Sequence, residues 1–356
     1  MKNKKALKQN VITYGMVIAF WAVIQIMMKT GNLSSLAKGL LVPICMYVIL
    51  AVSLNLTVGI LGELSLGHAG FMCVGAFSGA FFTKVAESAI PSVGVRFFIA
   101  LLIGAAVAGL CGFLIGIPVL RLKGDYLAIV TLAFGEIIKN LINVLYIGVD
   151  DKGLHVATSA AGLHLEAGGK QILKGALGIS GTATLYKDIK NYFFLIGVIL
   201  LLLTLFIVQN LVNSRSGRAI MSTRDNRIAA ESVGINITKY KLLAFTISAA
   251  LAGVAGVLYA HNLSLLKVSV FDYNMSILVL VYVVLGGIGN IRGSIIATII
   301  LYALPELLRG FANYRMLIYA IVLIIMMLFN WAPAARDWRA RMVEKFKGKK
   351  AKKEVA

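Results

Sequence analysis

Residues 97–119 read FFIALLIGAAVAGLCGFLIGIPV, a run of 23 residues without one charged side chain. A helix rises about 1.5 Å per residue, so a hydrocarbon core about 30 Å thick takes roughly 20 residues to cross. The run is therefore long enough and apolar enough to be a transmembrane helix.

Nine other apolar runs share this character, although several are short or broken by glycine. They are 11–28, 40–58, 66–82, 126–147, 192–212, 242–259, 275–291, 294–308 and 316–331. The chain is 59% hydrophobic and 14% charged, whereas soluble domains carry about 25% charged residues. We predict an all-α polytopic membrane protein with about ten transmembrane helices, between about eight and ten because short runs can merge. One membrane domain covers residues 1–356, with its transmembrane region at 11–331.

The basic residues are concentrated in four polar segments that flank apolar runs, and the formal net charge is +20. These segments are residues 2–8, the pair Arg121 and Lys123, residues 213–241, and the tail 332–356. Cytoplasmic loops carry the excess of Lys and Arg, so all four segments and both termini are predicted to be cytoplasmic. An even number of crossings places them there. No folded polar domain carries the charge, which argues against nucleic-acid binding.

Residues 148–190 differ from these segments because they mix lysines with aspartate and glutamate. We predict that they form an extracytoplasmic loop.

Sequence signals for chemistry are missing. Cys45, Cys73 and Cys111 stand singly in apolar runs, which indicates neither a disulfide framework nor a metal site. No GxxxxGKS or GxxxxGKT phosphate-binding loop occurs, so any ATP-driven step must belong to another polypeptide. The sequence also offers no nucleophile with an oriented base, and we predict that this chain is not an enzyme.

The basic segment contains STRDNRIAAESVG at residues 222–234, which has the pattern of a short helix. Ser222 followed by Asp225 resembles a capping box, and Gly234 stands where a helix would stop. These signals predict one helix of about eleven residues.

Within that helix, Ala229, Ala230 and Val233 are predicted to form one small apolar face beside Arg224 and Arg227. Such a face fits a groove on a cytosolic partner. The composition also fits a helix that lies on the membrane headgroups, held by its cations against anionic lipid. The residues alone leave both alternatives open.

Two segments are apolar runs broken by glycines: LNLTVGILGELSLGHAGFMCVG at 54–75 and VYVVLGGIGNIRGSIIAT at 281–298. Paired segments of this kind point to a transport site, since half-helix termini face the solute there. The candidate pathway residues in them are Asn55, Ser65, Gly67, His68, Gly286 and Gly287. The alternative is structural: the glycines permit close helix packing, His68 is a neutral imidazole bonded to a carbonyl, and Asn55 joins helices.

Glu136 and Lys139 lie one turn apart in the middle of the run 126–147. An unpaired charge at that depth costs at least about 2.5 to 3.5 kcal/mol, so both should face protein or water. A structural ion pair is favoured over a substrate contact, because an i, i+3 pair can satisfy itself. Glu136 remains a candidate pathway residue.

The residues GRAIMSTRDNRIAAESVGINITKYKLLAFTISAALAGVAGVLYA at 217–260 resemble the ATPase-coupling loop and following helix of LivM-type permease subunits. These subunits belong to the branched-chain amino acid ABC importer family. Three further blocks are similar to the family's motifs, in the same order: LNLTVGILGELSLGHAGF, GDYLAIVTLAFGEIIKNL and LGGIGNIRGSIIATIILYALPELLRG. The resemblance covers most of the chain.

The resemblance implies a multi-pass permease subunit in a bacterial cytoplasmic membrane that imports leucine, isoleucine and valine. It implies four kinds of partner: a second homologous permease, two cytosolic ATPase subunits, an extracytoplasmic substrate-binding protein and membrane lipid. ATP and Mg²⁺ would be bound by the ATPase subunits, and this chain would bind no cofactor. The ATPase-coupling residues would be Arg224, Arg227, Ala229, Ala230, Val233 and Gly234.

The sequence departs from the family pattern at two places. Ile228 stands where importer permeases show an acidic residue, and the loop 148–190 lacks the usual glycine-containing pattern. Two other functions are compatible with the residues. One is an ABC permease for urea, short amides or other amino acids, and the other is an ion-coupled secondary transporter that uses Glu136 and Lys139 as a relay.

Overall fold

The computed structural model describes residues 2–31, 34–122, 124–150, 153–165, 168–181, 184–311 and 314–331. Lys123 and the predicted basic tail 332–356 lie outside the described residues. The prediction that this tail is cytoplasmic therefore stays a prediction.

Helices dominate the described chain. They are α1 (Lys2–Lys29), α2 (Ser35–Asn55), α3 (His68–Val85), α4 (Val93–Val119), α5 (Asp125–Val144), α6 (Thr184–Asn213), α7 (Arg215–Asp225), α8 (Arg227–Ser232), α9 (Ile237–Asn262), α10 (Tyr273–Gly286), α11 (Ile291–Leu307) and α12 (Arg315–Trp331). Each of the ten predicted apolar runs contains one helix, while α7 and α8 fall in the predicted polar segment. The predicted all-α polytopic fold class is confirmed.

Seven helices within the described residues are long and apolar enough to cross a membrane. They are α1, α2, α4, α5, α6, α9 and α11. The helix α10 has 14 residues and the apolar part of α12 spans Met316–Leu328, so both are shorter. The helix α3 has 18 residues and begins inside the bundle.

Small residues let the central helices α3, α4 and α9 approach closely. A Cβ added to Gly75 would lie 2.3 Å from the Cα of Gly253, and one added to Gly112 would lie 2.4 Å from the Ala249 side chain. Backbones can meet at such positions without a side chain between them. The helix α2 packs against this group, and Met46, Val48 and Ile49 are fully buried.

A five-stranded antiparallel sheet covers one end of the bundle. Its strands are β1 (Tyr146–Asp150), β2 (Gly153–Ala157), β3 (Lys170–Lys174), β4 (Ile179–Ser180) and β5 (Leu265–Leu266), in the order β2-β1-β3-β4-β5. Ile147 of β1 is opposite Val156 on one side and Leu173 on the other. This end of the molecule is called the sheet end below.

The sheet corrects one predicted boundary. The run 126–147 was predicted as a single helix, but α5 ends at Val144 and Tyr146 and Ile147 belong to β1. Aromatic and β-branched side chains fit a pleated surface, and strands on both sides pair with these two residues. Hydropathy alone does not separate such a strand from the end of a helix.

The opposite end of the bundle carries α7 and α8, and it is called the α7–α8 end. The helix α6 leads from the sheet end to this end, and α9 leads back. The connection between α10 and α11 also lies here, because Gly289 contacts the last turns of α2. A hydrogen bond from Arg292 to Thr13 brings the first part of α1 to the same end.

Candidate functional site

The first glycine-broken segment is a helix that changes pitch and then stops. The helix α2 continues as a π-helix, Leu56–Leu61, and Gly62 ends it with φ of +81°. A left-handed residue is favourable only without a Cβ, which explains glycine at this position. Residues 62–67 are not helical, and α3 begins at His68. The predicted break is therefore present, and π-helical turns often mark functional sites.

The π-helix packs against α7. Ile220 is fully buried in one apolar cluster with Leu56, Ile60 and Leu61. Burying such side chains stabilises the contact by about 1.5 to 3 kcal/mol each. The helix α7 and the π-helix that continues α2 therefore form one packed unit.

Two cationic side chains bind the broken segment. Arg224 donates from Nη1 to the carbonyl oxygen of Gly59 at 2.8 Å. A Cβ added to Gly62 would lie 2.4 Å from Cγ of Arg224, so only glycine leaves room for this side chain. Lys241 of α9 forms an ion pair with Glu63, and their side chains are 8% and 14% exposed. Arg224 was predicted as an ATPase-coupling residue, but its contact with α2 was not predicted.

The second glycine-broken segment meets the first one. Asn55 donates from Nδ2 to Oγ of Ser294 at 2.9 Å and accepts at Oδ1 from the backbone N–H of Gly289 at 2.9 Å. A Cβ added to Gly59 would lie 2.4 Å from the backbone nitrogen of Gly289. The sequence showed that the two segments share a pattern, and the structure shows that they touch.

The predicted residues of the second segment lie at this contact. Gly286 ends α10, and a Cβ added there would lie 2.4 Å from the backbone nitrogen of Ser294. Gly287 follows with φ of +95°. Asn55 is fully buried and uses both ends of its amide on protein groups. These positions fit the structural alternative of close packing and helix joining.

The start of α3 lies deep in the bundle. His68 is 2% exposed, and its Nε2 lies 2.8 Å from Oγ of Ser53. The structural alternative predicts a carbonyl partner for this imidazole, whereas the structure gives Nε2 a hydroxyl. Ala69 donates its backbone N–H to Oγ of Ser276 in α10 at 3.0 Å, so the first turns of α3 and α10 are neighbours.

Two other predicted residues precede this helix start. A Cβ added to Gly67 would lie 2.2 Å from the carbonyl oxygen of Thr131, and Leu66 donates its backbone N–H to Thr131 Oγ1 at 3.0 Å. Ser65 is 1% exposed, and its hydroxyl has no hydrogen-bond partner within the described part of the chain. A buried polar group without a partner is unusual and calls for an explanation.

Glu136 and Lys139 form the predicted ion pair, with Nζ and Oε2 2.5 Å apart and side chains that are 27% and 21% exposed. Glu136 also accepts at Oε1 from the backbone N–H of Tyr273, the first residue of α10, at 3.1 Å. A carboxylate at a helix N-terminus is stabilised by the helix dipole. The ion pair thus holds α5 to α10, and both of its side chains remain partly exposed at the surface of the chain.

The predicted coupling helix is wrong in its boundaries. The helix α7 ends at Asp225, and Asn226 adopts an extended conformation before α8 begins. The cap is Asn226, whose Oδ1 accepts from the backbone N–H of Ala229 at 3.1 Å, while Ser222 donates to the carbonyl of Ala219. Asparagine side chains compete for backbone groups in this way, and this breaks a continuous helix.

Gly234 ends α8 as predicted, with φ of +82°. The backbone N–H of Ile235 then donates to the carbonyl of Ala230 at 3.1 Å, which closes the last turn. Such closure needs a left-handed residue and favours glycine.

The predicted apolar face of this helix is divided. Ala230 is 3% exposed and packs within the chain, so it is not available to a partner. Ile228 is 81% exposed and Val233 is 75% exposed, and Ala229 and Arg227 are exposed beside them. The sequence reasoning missed Ile228, although a large apolar residue in a basic loop was a visible signal.

Among the described residues, no three His, Cys, Asp or Glu side chains are close enough to hold a metal ion.

Comparison with known proteins gives one family. The family described as the permease component of branched-chain amino acid transport systems matches residues 36–329. The high-affinity branched-chain amino acid transport system permease protein LivM of Salmonella typhimurium is 36% identical over 317 residues, which is 87% of this chain and 72% of the relative. LivM of Escherichia coli K12 gives the same figures. A probable branched-chain amino acid transport permease protein LivM of Methanocaldococcus jannaschii is 25% identical over 304 residues, 76% of this chain and 80% of the relative. No solved structure matches the chain.

Proposed function

This chain belongs to the permease-component family of branched-chain amino acid transport systems, and on that premise we propose that it is a permease subunit of an ATP-binding-cassette importer for leucine, isoleucine and valine. One observation carries the proposal. The family match from residue 36 to 329 includes both glycine-broken segments and the α7–α8 region.

The orientation follows from charge. Arg215, Arg218, Arg224, Arg227 and Lys239 all lie in or beside α7 and α8. Cytoplasmic loops carry the excess of such residues, so the α7–α8 end faces the cytoplasm and the sheet end faces outward. Both termini then lie in the cytoplasm.

The importer also contains a second homologous permease, two cytosolic ATPase subunits that bind ATP and Mg²⁺, and an extracytoplasmic substrate-binding protein. The exposed face of α8, with Ile228, Ala229 and Val233, docks into a groove of one ATPase subunit. Arg224 and Arg227 flank this face, and Gly234 sets its end. The support is the exposure of two large apolar side chains at the basic end of the molecule.

Movement of the ATPase subunits reaches the transmembrane helices through contacts that join end to end. The helix α8 is connected to α7, and α7 is joined to the π-helix by Ile220 and by Arg224. The π-helix touches the second broken segment at Gly59 and Gly289. A contiguous set of packed elements of this kind can transmit a rearrangement between two sites.

The solute passes the first turns of α3 and α10. The helix α3 begins inside the bundle, the first turn of α10 lies beside it, and helix N-termini favour the carboxylate of an amino acid. Ser65 supplies a buried hydroxyl without a partner among the described residues, and Glu136 supplies a partly exposed carboxylate beside the start of α10. Gly67 and His68 shape the backbone at the start of α3.

Reconstitution tests the function directly. Proteoliposomes with this chain, its homologous permease, the ATPase subunits and the binding protein should take up labelled leucine only when ATP is present on the ATPase side. Unlabelled isoleucine and valine should compete, whereas urea and acetamide should not. Competition by urea or acetamide alone would assign the chain to the amide-carrying alternative.

The ion pair Glu136–Lys139 is the observation that favours an ion-coupled secondary transporter. Under the proposed function, uptake continues when an uncoupler collapses the ion gradient while ATP is held constant. Uptake that stops with the uncoupler and persists without ATP supports the secondary transporter instead.

A further inference from the structure

A polar pocket of about 270 Å³ lies at the α7–α8 end between α1, α6 and the start of α11. Its polar lining includes Asn10, Thr13, Gln209, Asn213 and Arg292. None of the described residues that line the pocket is acidic. The pocket is much larger than one water molecule requires.

Its electrostatics favour an anion. Arg292 carries a permanent charge, and it donates from Nε to Oγ1 of Thr13 at 2.9 Å, which holds its side chain beside the pocket. The 17-residue helix α11 begins at Ile291, and its N-cap Asn290 makes no side-chain capping bond. The positive end of this helix dipole therefore points at the pocket.

A buried acceptor in the pocket indicates that the ligand also donates a hydrogen bond. Gln209 is 4% exposed, and its Oε1 has no hydrogen-bond partner within the described residues. Leaving such a group unpaired in the interior is unfavourable. A ligand with a hydroxyl group next to its negative charge would satisfy both Gln209 and Arg292.

An apolar cavity of about 220 Å³ is lined by residues that lie farther along the same helices, toward the middle of the bundle. It is lined by the same three helices: Met16 follows Thr13 by one turn of α1, and Ile295 and Ile299 follow Arg292 along α11. Leu201 of α6 completes the wall together with α2. Ile299 lies seven residues beyond Arg292, which is about 10 Å at a helical rise of about 1.5 Å per residue.

We propose that the two cavities together form a binding site for one phospholipid with an anionic, hydroxyl-bearing headgroup, such as phosphatidylglycerol. The phosphate lies beside Arg292 and the start of α11, the headgroup hydroxyl donates to Gln209, and one acyl chain fills the apolar cavity. A free phosphate ion accounts for the polar pocket alone, whereas a phospholipid accounts for both cavities in the order polar then apolar.

Native mass spectrometry of the full chain in detergent tests the site. Dioleoylphosphatidylglycerol should remain bound to the protein. Its affinity should be at least about tenfold higher than that of dioleoylphosphatidylcholine, whose headgroup cannot donate a hydrogen bond. Inorganic phosphate at millimolar concentration is the second ligand. If it displaces the phosphatidylglycerol, the site binds a free anion and the lipid assignment is overturned.

Three variants separate the parts of the site. Arg292→Gln and Gln209→Leu should each weaken phosphatidylglycerol binding by about tenfold or more, since each removes a bond to a charged or buried group. Ile299→Trp should weaken it by filling the apolar cavity. Arg309→Gln is the matched control, because it makes the same change at an exposed residue just beyond the end of α11.

Gln209→Leu keeps the test decisive even if Arg292→Gln fails to fold. It removes a buried polar atom without a described partner, so the variant should unfold no earlier than the wild type while it loses lipid. Wild-type lipid affinity in both Gln209→Leu and Ile299→Trp would overturn the proposal.

Discussion

The guanidinium of Arg224 donates a 2.8 Å hydrogen bond from Nη1 to the carbonyl oxygen of Gly59. Arg224 belongs to α7 in the basic loop, and Gly59 belongs to the π-helical end of α2. The bond therefore joins a polar surface loop to the point where a central helix is broken. The two residues are 165 positions apart in the sequence.

Replacing Arg224 by lysine should uncouple uptake from ATP hydrolysis. Lysine keeps the charge but lacks the planar fork that reaches Gly59, and a hydrogen bond from a charged donor is worth about 1.5 to 3 kcal/mol. Uptake per ATP hydrolysed in proteoliposomes should fall about tenfold or more, while co-purification with the ATPase subunits persists. Arg215→Lys makes the same change on the exposed side of α7 and should behave as the wild type. Normal coupling in Arg224→Lys would remove this bond from the transmission path.

Ile228→Asp should prevent docking of the ATPase subunit without unfolding the chain. Ile228 is 81% exposed, so its loss costs little in the isolated chain, whereas a carboxylate in an apolar groove is unfavourable. The measurement is co-purification of the ATPase subunits with the permease. Arg215→Lys, a conservative change at an exposed residue of α7, is the control. Equal ATPase recovery in the two variants would favour the alternative in which α8 lies on the membrane headgroups.

Ala230→Leu should lower the thermal stability of the chain itself. Ala230 is 3% exposed, and adding volume at a tight contact costs about 1 to 3 kcal/mol. Ala229→Leu is the matched control, since Ala229 is exposed and the surface can accept the larger side chain there. Thermal unfolding of the two variants without the ATPase subunits gives the comparison. An equal melting temperature for both would show that Ala230 does not pack within the chain.

Exchange of the charges at positions 136 and 139 should not restore the wild type. The double variant Glu136→Lys with Lys139→Glu keeps the balance of charge, but lysine cannot accept the hydrogen bond from Tyr273. Glu136→Gln with Lys139→Gln retains an acceptor at position 136 and should assemble and transport better. Size-exclusion chromatography and uptake assays measure both. Full recovery in the exchanged variant would limit Glu136 to its role in the ion pair.

Cysteine labelling tests the orientation. In a cysteine-free background, Leu177→Cys at the sheet end should react with an impermeant maleimide on intact cells, because Leu177 is 68% exposed. Ser232→Cys in α8 should react only after the membrane is permeabilised. The reverse pattern would place the α7–α8 end outside.

The sequence predicted the helices well because membrane-spanning segments are a local property of length and apolarity. It predicted the glycine breaks for the same reason. It could not predict that Asn55 bonds to Ser294, since the two are 239 residues apart and no periodicity connects them. The short strands at 146–150 and 170–174 were missed because pairing with distant residues, not hydropathy, defines them.

The coupling loop shows a second limit. Serine and asparagine are both good caps, and the spacing of Ser222 and Asp225 satisfied the pattern of a capping box. The structure uses Asn226 instead, and in the short helix that it caps Ala230 is buried while Ile228 is exposed. The helix boundaries and the buried side of this short helix therefore have to be known before the side chains that a partner can reach are known.

The meeting of Gly59 and Gly289 also restricts how this protein can evolve. In most tight contacts, a larger residue on one side is tolerated when the other side becomes smaller. Glycine has no smaller replacement, a Cβ at Gly59 would lie 2.4 Å from the Gly289 backbone, and Gly289 itself has φ of +79°. Bulk at either position therefore has no compensating mutation at the other, and reversion or a shift of whole helices is the remaining route to repair.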